Sequence, residues 1–398
     1  MGVQMTGKEI VDEIFENAVM RDHFIQQHFW QGTVPSSRLK SVFSWGHLNH
    51  ALSCSRITND RLRLSIEHDH VGPNKSVFRP VKDSFGRPTD AISFSALHSQ
   101  LELGATAVLE SINELLPDVR AMTEAVSERC YARVCANAYF SFGHTSGFGV
   151  HNDDHDVIVF QIEGRKRWHF WSGAETGSRA TVGDRESPPS DPATEEIVLR
   201  EGDVLYVPKG TWHDVIAIGE PSLHLTISVV RPSIKDYVEW LLAQNRFRTP
   251  YQDIRISRSD FENTANAAQA LLMTAISAES VAEFVGVYYA RFPAVSVRPS
   301  LPRLNSASQA DAFNTVSFHL IDIEHDIAAG DPERSRIYAL GAVHTVSSVG
   351  RRLLDLLSCR KAVRGHTLTD ELRQHGVSSE QTMQALRDLL EQGLISKA

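Results

Sequence analysis

The chain has little cysteine. Cys54, Cys130, Cys135 and Cys359 are all that 398 residues contain, and no two stand as a CxxC pair. So few and so scattered, they indicate neither a disulfide scaffold nor a thiolate zinc site, and they read as buried small hydrophobes of a reducing compartment. No apolar run nears the ~20 residues that a membrane-spanning helix requires. Positive charge is also short: 40 Lys and Arg against 49 Asp and Glu leave a formal charge of −9, which disfavours sequence-independent binding to a phosphate backbone. The opening MGVQMTGKEIVDEIFENAV alternates charged and apolar residues at helical spacing, without the basic start, apolar block and small-residue cleavage site of a secretion signal. A cytoplasmic location is expected, and no internal repeat is visible.

What is present is an ordinary globular composition, 42% apolar and 22% charged, with enough length for two or three units at ~100–200 residues each. Residues 6 to about 30 read as an amphipathic helix, LKSVFSWGHLNHALS as a shorter one, and RLRLSIEH as an alternating strand. ATAVLESINELLPDVRAMTEAVSERC has apolar residues three and four apart, with Pro117 dividing two helices. From Arg133 to Arg231 the pattern changes to short strands, RVCANAYF, HDVIVFQI, RKRWHFW, EIVLREGDVLYVP and HLTISVV, separated by Gly or Pro. Strands at that spacing suggest an antiparallel barrel or jelly roll. GAETGSRATVGDRESPPSDPAT is read as a surface loop inside it. Helical spacing returns from RPSIKDYVEWLLAQN to YYARF, and the end of the chain carries three short helical patterns suited to a helix-turn-helix or winged-helix unit.

Within the strand-rich region, HNDDHD places His151 and Asp153 two residues apart, so on an extended strand both side chains point the same way. An octahedral Fe(II) can be held on one face by two imidazoles and a carboxylate, with the opposite positions left for a chelating co-substrate and O2. The third ligand would be a distant histidine, and His213 in VLYVPKGTWHDV follows a strand and a Pro/Gly turn that could return to the first. Lys166 in RKRWHFW shares a face with Trp168 and Phe170, whereas Arg165 and Arg167 face the other way. An ammonium among aromatic residues requires an anion, since a buried unpaired charge is costly. The far carboxylate of a metal-chelated 2-oxo diacid would supply one. Asn137 with Tyr139, and His224, Thr226 and Ser228, place polar groups on what would be the inner face, while Leu223, Leu225 and Ile227 face the packed side.

Taken together, GATAVLESINELLP, CANAYFSFGHTSGFGVHNDDHDVIVFQIEGRKRWHFW, LREGDVLYVPKGTWHDV and SLHLTISV resemble the JmjC (cupin-type) dioxygenases of the ribosomal oxygenase kind, across roughly residues 90–230. The resemblance implies an α+β chain built on a double-stranded β-helix, with an N-terminal α/β extension (1–90), a catalytic barrel (91–231), a helical dimerisation region (232–335) and a winged-helix-like unit (336–398). It implies Fe(II) held by His151, Asp153 and His213, which are both the metal ligands and the catalytic set. It also implies 2-oxoglutarate as co-substrate, its distal carboxylate on Lys166, with Asn137, Tyr139, Thr226 and Ser228 in the pocket. The activity implied is hydroxylation of a side chain of a ribosomal protein or another peptide, by a homodimer. A peptide natural-product precursor as substrate, histone lysine demethylation and a non-catalytic cupin binding module are the alternatives. Nucleic acid is disfavoured as a partner of the last unit: from His366 on, Arg373, Arg387 and Lys397 stand against five acidic residues.

Overall fold

The alternating segments between Arg133 and Val230 become strands that wrap around one another. In chain order the strands up to Arg231 are β1 (Trp30–Thr33), β2 (Leu62–Ile66), β3 (Asp69–His70), β4 (Phe78–Lys82), β5 (Pro88–Ile92), β6 (Thr106–Leu109), β7 (Arg133–Ser141), β8 (Asp156–Glu163), β9 (Lys166–Trp171), β10 (Glu195–Leu199), β11 (Asp203–Val207), β12 (Trp212–Ala217) and β13 (Ser222–Val230). The helices are α1 (Gly7–Glu16), α2 (Ala18–Gln26), α3 (Ser36–Val42), α4 (Trp45–Cys54), α5 (Phe94–Glu102) and α6 (Pro117–Cys130). This computed structural model describes all residues except 1–6, 55–56, 67–68, 71–76, 131, 172–187, 244–259, 291–316, 321–324, 332–333, 340–341, 359–362 and 398. It divides into Met1–Arg231 and Pro232–Ala398.

In the first unit an eight-stranded sheet, β1-β11-β8-β13-β7-β6-β2-β3, faces a three-stranded one, β10-β9-β12, and the pairings are antiparallel. The stretch before β8 runs along β12 as an irregular fourth strand of the small sheet: Ala217 N–H donates to Thr145 O at 3.1 Å, and His151 and His213 exchange both backbone bonds at 2.9 and 2.8 Å. This is a double-stranded β-helix. The outer face of the large sheet buries Ala136, Ala138, Phe140, Ile158, Phe160, Leu223, Leu225 and Ile227 in one core with Ile10, Met20, Leu39, Leu48, Val119 and Met122 from the helices. Each large side chain withdrawn from water in this way contributes about 1.5–3 kcal/mol. The other face of β8 packs Val157 and Val159 against Trp168, Phe170, Leu199 and Leu205 of the barrel interior. Burial on both faces explains why the VIVF run of β8 is continuously apolar instead of alternating.

Several elements differ from the sequence reading. The helix read over residues 6–30 is two helices and a strand: Asn17 caps α2 by accepting from Met20 N–H at 3.1 Å, Gln27 ends it at φ 57°, and β1 starts at Trp30. ATAVLESINELLP is strand β6 followed by one 3-10 turn at Ile112–Glu114, and Pro117 opens α6 instead of dividing two helices. Pro is tolerated at a first helical position because that N–H lacks an intrahelical partner anyway, and pairing of β6 with both β2 and β7 overrides a short helical periodicity. The hairpin β4–β5 was not foreseen; Asp83 closes its turn by accepting from Phe85 and Arg87 N–H, each at 2.9 Å. His151 and Asp153 lie in the irregular strand and the turn after it, not on a regular strand. Cys130 and Cys135 are half-buried, not fully buried, while the side chain of Cys54 and all of Cys359 lie outside the described residues. So do residues 173–187 of the loop read at 173–194.

The second unit begins with α7 (Ile234–Leu242), α8 (Asp260–Ala275) and α9 (Ala278–Ala290), where Tyr237, Trp240, Leu241 and Phe284 form a small aromatic core. The stretch 232–335, read as helical, also contains strands: β14 (Ser317–Leu320), β15 (His325–Asp331) and the first residues of β16 (Arg334–Ala339), with β17 (Ala342–Ser347) continuing their sheet. Their alternation lies next to PAVSVRPSLPRLN, which falls outside the described residues, and was masked by it. Then follow α10 (Ser348–Ser358), β18 (Val363–Arg364), α11 (Gly365–Arg373), α12 (Ser379–Glu391) and β19 (Ile395–Lys397), packed around Phe318, Leu353, Leu368, Leu386 and Ile395.

Gly164 makes the turn by which β8 leaves the large sheet and β9 enters the small one. Its φ is +66°, and a Cβ there would lie 2.0 Å from Pro221 O. Gly86, at the tip of the β4–β5 hairpin, has φ +78° with open space around it. Gly164→Ala is therefore expected to lose ~3 kcal/mol or more, from left-handed strain plus a backbone clash, and Gly86→Ala only the strain of ~1–2 kcal/mol. Equal losses in equilibrium unfolding would contradict this account of the turn.

Candidate active site

Two turns and a bridge bring three chemically distinct side chains together. The reciprocal backbone pair places the imidazoles of His151 and His213 side by side, ring centroids 4.3 Å apart, and Asp153 reaches the same space from the turn after His151. Asp153 Oδ1 is 4.0 Å from His151 Nε2 and Oδ2 is 3.8 Å from His213 Nε2. These gaps exceed a hydrogen bond, so the three groups face one point without satisfying one another. One potential ligand atom from each lies within 4.8 Å of the others.

The far sides of both rings are occupied. His151 Nδ1 lies 2.8 Å from Gly149 O, and His213 Nδ1 lies 2.9 Å from Thr211 O. A carbonyl oxygen only accepts, so each Nδ1 carries the proton and each Nε2 turns its lone pair to the shared space. Burial, followed by the neighbouring His151, lowers the His213 pKa, with Asp153 opposing, so the ring is held neutral as metal ligation demands. Two neutral imidazoles and one carboxylate on one side of a cavity fit a divalent transition metal with open positions on the other.

That cavity has a volume of about 340 Å³. Beyond the three groups it is walled by Lys166, Trp168, His224, Thr226, Ser228, Asn137 and Tyr139, so every residue singled out from the sequence lines it. Asn137 is oriented by a distant backbone group: its Oδ1 accepts from Ser111 N–H at 3.0 Å, which turns its NH2 group elsewhere. Thr226 sits opposite Asn137 and Ser228 opposite Cys135 in the β13–β7 register, which sets the hydroxyls two residues apart on the inner face. Tyr139 stacks on His224 at 4.8 Å, and Trp168 stacks on His213 at 5.5 Å.

Lys166 is 1% exposed and, among the described residues, has no carboxylate within ion-pair distance. Burial depresses its ammonium pKa to about 8. Next to it His224 is driven well below its ordinary pKa, first by burial and then by the Lys166 charge, and stays neutral. His224 Nδ1 and Trp168 Nε1 are buried without hydrogen-bond partners. An unpaired cation beside unused polar atoms at the inner end of a cavity is a built anion site. Arg165 and Arg167, whose roles the sequence left open, turn outward to Glu220 and Glu196.

Sequence reasoning missed other lining residues, among them Thr106, Phe148, His155 and Arg63, the last of which pairs with Glu110. The alternation of RLRLSIEH could have placed Arg63 on one face with Ser65, but nothing local says which face meets the barrel interior.

The double-stranded β-helix and its His–Asp–His cluster define a JmjC-type cupin. Residues 109–237 match the JmjC domain family model, and the chain carries a JmjC domain. Among curated proteins it is similar to the bifunctional lysine-specific demethylase and histidyl-hydroxylase NO66 of Drosophila yakuba, 29% identical over 219 residues, 54% of this chain and 31% of that protein. The counterpart in Drosophila mojavensis is 35% identical over 120 residues, 29% of this chain and 13% of that protein. The matched segments thus span less than a third of those relatives' length. Among solved structures, E. coli ycfD superposes with a TM-score of 0.60 over 95% of this chain and 98% of that one at 16% identity. The E. coli ribosomal oxygenase YcfD in complex with cobalt and 2-oxoglutarate gives 0.56 over 96% and 98%, also at 16% identity.

The uncompensated ammonium makes a prediction with a definite sign. A Lys pKa lowered from 10.5 to about 8 means the unfolded chain binds more protons between those values. The burial penalty is then complete below the folded pKa and is relieved as pH rises toward the unfolded one. Lys166→Met should stabilise the ligand-free protein at pH 7 by about 3 kcal/mol, and the gain should shrink as pH rises from 8 toward 10. Urea unfolding across that range checks it; a destabilised Met variant at neutral pH would show that the ammonium has a partner.

Proposed function

We propose that the chain is an Fe(II)- and 2-oxoglutarate-dependent oxygenase that hydroxylates a side chain of a polypeptide, with a ribosomal protein as the leading substrate. The observation that carries this reading is the sharing of one cavity by an open His–Asp–His face and a buried, unpaired Lys166. The names of the relatives support it: a histidyl-hydroxylase among the curated proteins, and a ribosomal oxygenase with cobalt and 2-oxoglutarate among the structures. When bound, ferrous iron supplies O2 activation coupled to oxidative decarboxylation of the 2-oxo acid.

The protein's own part is orientation and exclusion. His151, Asp153 and His213 hold the metal from one side. Lys166 binds the distal carboxylate of 2-oxoglutarate and regains the charge partner that burial denies it, while Thr226, Ser228, Tyr139 and the NH2 group of Asn137 supply polar contacts around the chain of the diacid. Trp168 and Val157 keep water from the metal-facing wall. The part of the lining with Arg63 and Phe148 is left to the peptide; Arg63 lies over the Phe148 ring at 5.8 Å, a rim for a side chain to enter past.

The second unit supports two finer readings. Ile234, Val238 and Leu242 stand four residues apart on α7, at 83%, 36% and 52% exposure, an apolar stripe suited to the partner helix of a homodimer. Helices α10–α12 against the small sheet β18-β14-β19 fit a winged-helix-like unit. The curated relatives' names also include lysine-specific demethylation, which uses the same metal chemistry.

With Fe(II), 2-oxoglutarate and ribosomal-protein peptides, purified protein should release succinate in step with peptide modification. His151→Ala and Asp153→Ala should each lower turnover by at least ~100-fold. Mass spectrometry separates the outcomes: gain of one oxygen atom supports hydroxylation, and loss of a methyl group supports demethylation. Absence of both from peptides and ribosomal proteins would overturn the substrate assignment.

A further inference from the structure

The metal-facing rings are aimed by backbone carbonyls, and what holds those carbonyls in place is not local. Gly149 O, which receives the Nδ1 proton of His151, belongs to a turn closed by Ser146: its Oγ accepts from Gly149 N–H at 3.1 Å and donates to Asp214 Oδ1 at 2.5 Å. Asp214 is the residue after His213 and is 7% exposed. Thr211 O, which receives the Nδ1 proton of His213, belongs to the 208–211 turn. That turn is held at Lys209 N–H by Asp156 Oδ1, at 2.9 Å, and at Gly210 N–H by the carbonyl of Asp153, at 2.8 Å. Asp156 is 1% exposed, and its second oxygen is engaged by Arg231. The two braces are crossed: the segment carrying His151 holds the turn that aims His213, and the segment carrying His213 holds the turn that aims His151.

We infer that Ser146 with Asp214, and Asp156, are positioning residues that set the ring orientation and tautomer of His151 and His213, the two aspartates each acting on the histidine of the opposite segment. The inference rests on the oxygenase reading above. It follows from the donor and acceptor inventory. Ser146 has one proton and spends it on a carboxylate, so its lone pair must face Gly149 N–H; this anchors the 148–149 peptide plane, from which the Gly149 carbonyl is directed by the residue's own φ and ψ. Gly149 itself is at φ 74°, so the turn depends on a conformation that few residues adopt. Without the brace the 146–149 turn is released, and the His151 ring loses the fixed acceptor that keeps its proton on Nδ1. Outer partners of ligand histidines that fix the tautomer in this way typically govern metal affinity.

The test is Co(II) titration of the metal-free full-length protein followed by visible absorption, with thermal midpoints measured in parallel. Ser146→Ala and Asp214→Ala should each weaken Co(II) binding by ~10–100-fold. Their double variant should be no weaker than the worse single one, since both remove the same link. Ser146→Thr, which restores the hydroxyl, should return affinity to within ~3-fold of the parent, the measure of a conserved contact. Asp156→Ala should also weaken binding, with recovery in Asp156→Asn, whose amide oxygen still accepts from Lys209. If Asp156→Ala fails to fold, the Ser146 pair decides. Variants that bind Co(II) like the parent, or lose only thermal stability, overturn the brace and leave the oxygenase reading standing. A parent protein that takes up no Co(II) overturns both.

Discussion

Two backbone hydrogen bonds between His151 and His213 hold the site together. With the neighbouring bonds Ala217 N–H to Thr145 O and Gly210 N–H to Asp153 O, they join a stretch that has no regular strand structure to the edge of β12 and give the segments 143–153 and 211–217 a common frame. Because a hydrogen-bonded antiparallel pair places its two side chains on the same face, one bridge suffices to set both imidazoles side by side. Asp153 then follows within the same turn, and its backbone carbonyl reaches across to Gly210, so the carboxylate is tied to the opposite segment as well. The arrangement is stiff where ligation needs stiffness. It remains open on the cavity side, where no protein group fills the remaining positions among the described residues.

The second organising constraint is an unfavourable one. A barrel interior that held only Val157, Val159, Trp168 and Phe170 would be an ordinary apolar core. Into that interior the fold sets Lys166, His224 and the hydroxyls of Thr226 and Ser228, all at least nine-tenths buried. A buried ammonium with no counter-charge lowers the stability of the free protein, and a protein tolerates such a cost where binding repays it. The outer face of the same strands compensates: Leu223, Leu225, Ile227 and Val229 on β13 alternate with the polar residues and are fully withdrawn from water in the helical core. One strand thus carries a stabilising face and a functional face, separated by nothing more than the period of two of an extended chain.

Legibility followed the range of the interactions. Where apolar and polar residues alternate, the pattern separates the two faces of a strand, and β7, β9 and β13 were readable residue by residue, including the inward set of Lys166, Trp168 and Phe170. Where pairing on both sides decides, as for β6 between β2 and β7, the local apolar spacing pointed to a helix and tertiary contacts prevailed. Pro117 illustrates the same limit, since a proline can open a helix as readily as interrupt one and only the neighbouring strand end distinguishes the two. The β4–β5 hairpin, largely exposed, carries almost no hydrophobic signal to read.

The sequence by itself determined which chemical groups are available and which of them share a strand face: Lys166 with two aromatic rings, Thr226 with Ser228. These are consequences of covalent spacing and chain period, and need no knowledge of distant contacts. Only the tertiary structure decided that the loop before β8 pairs with β12, that Asp214 and Asp156 reach across to the opposite segment, and that Arg63 and Phe148 line the cavity. The reason is physical: hydrogen bonds and walls between residues 50 or more positions apart depend on how two sheets close on one another, and nothing in the local pattern of either segment encodes its partner.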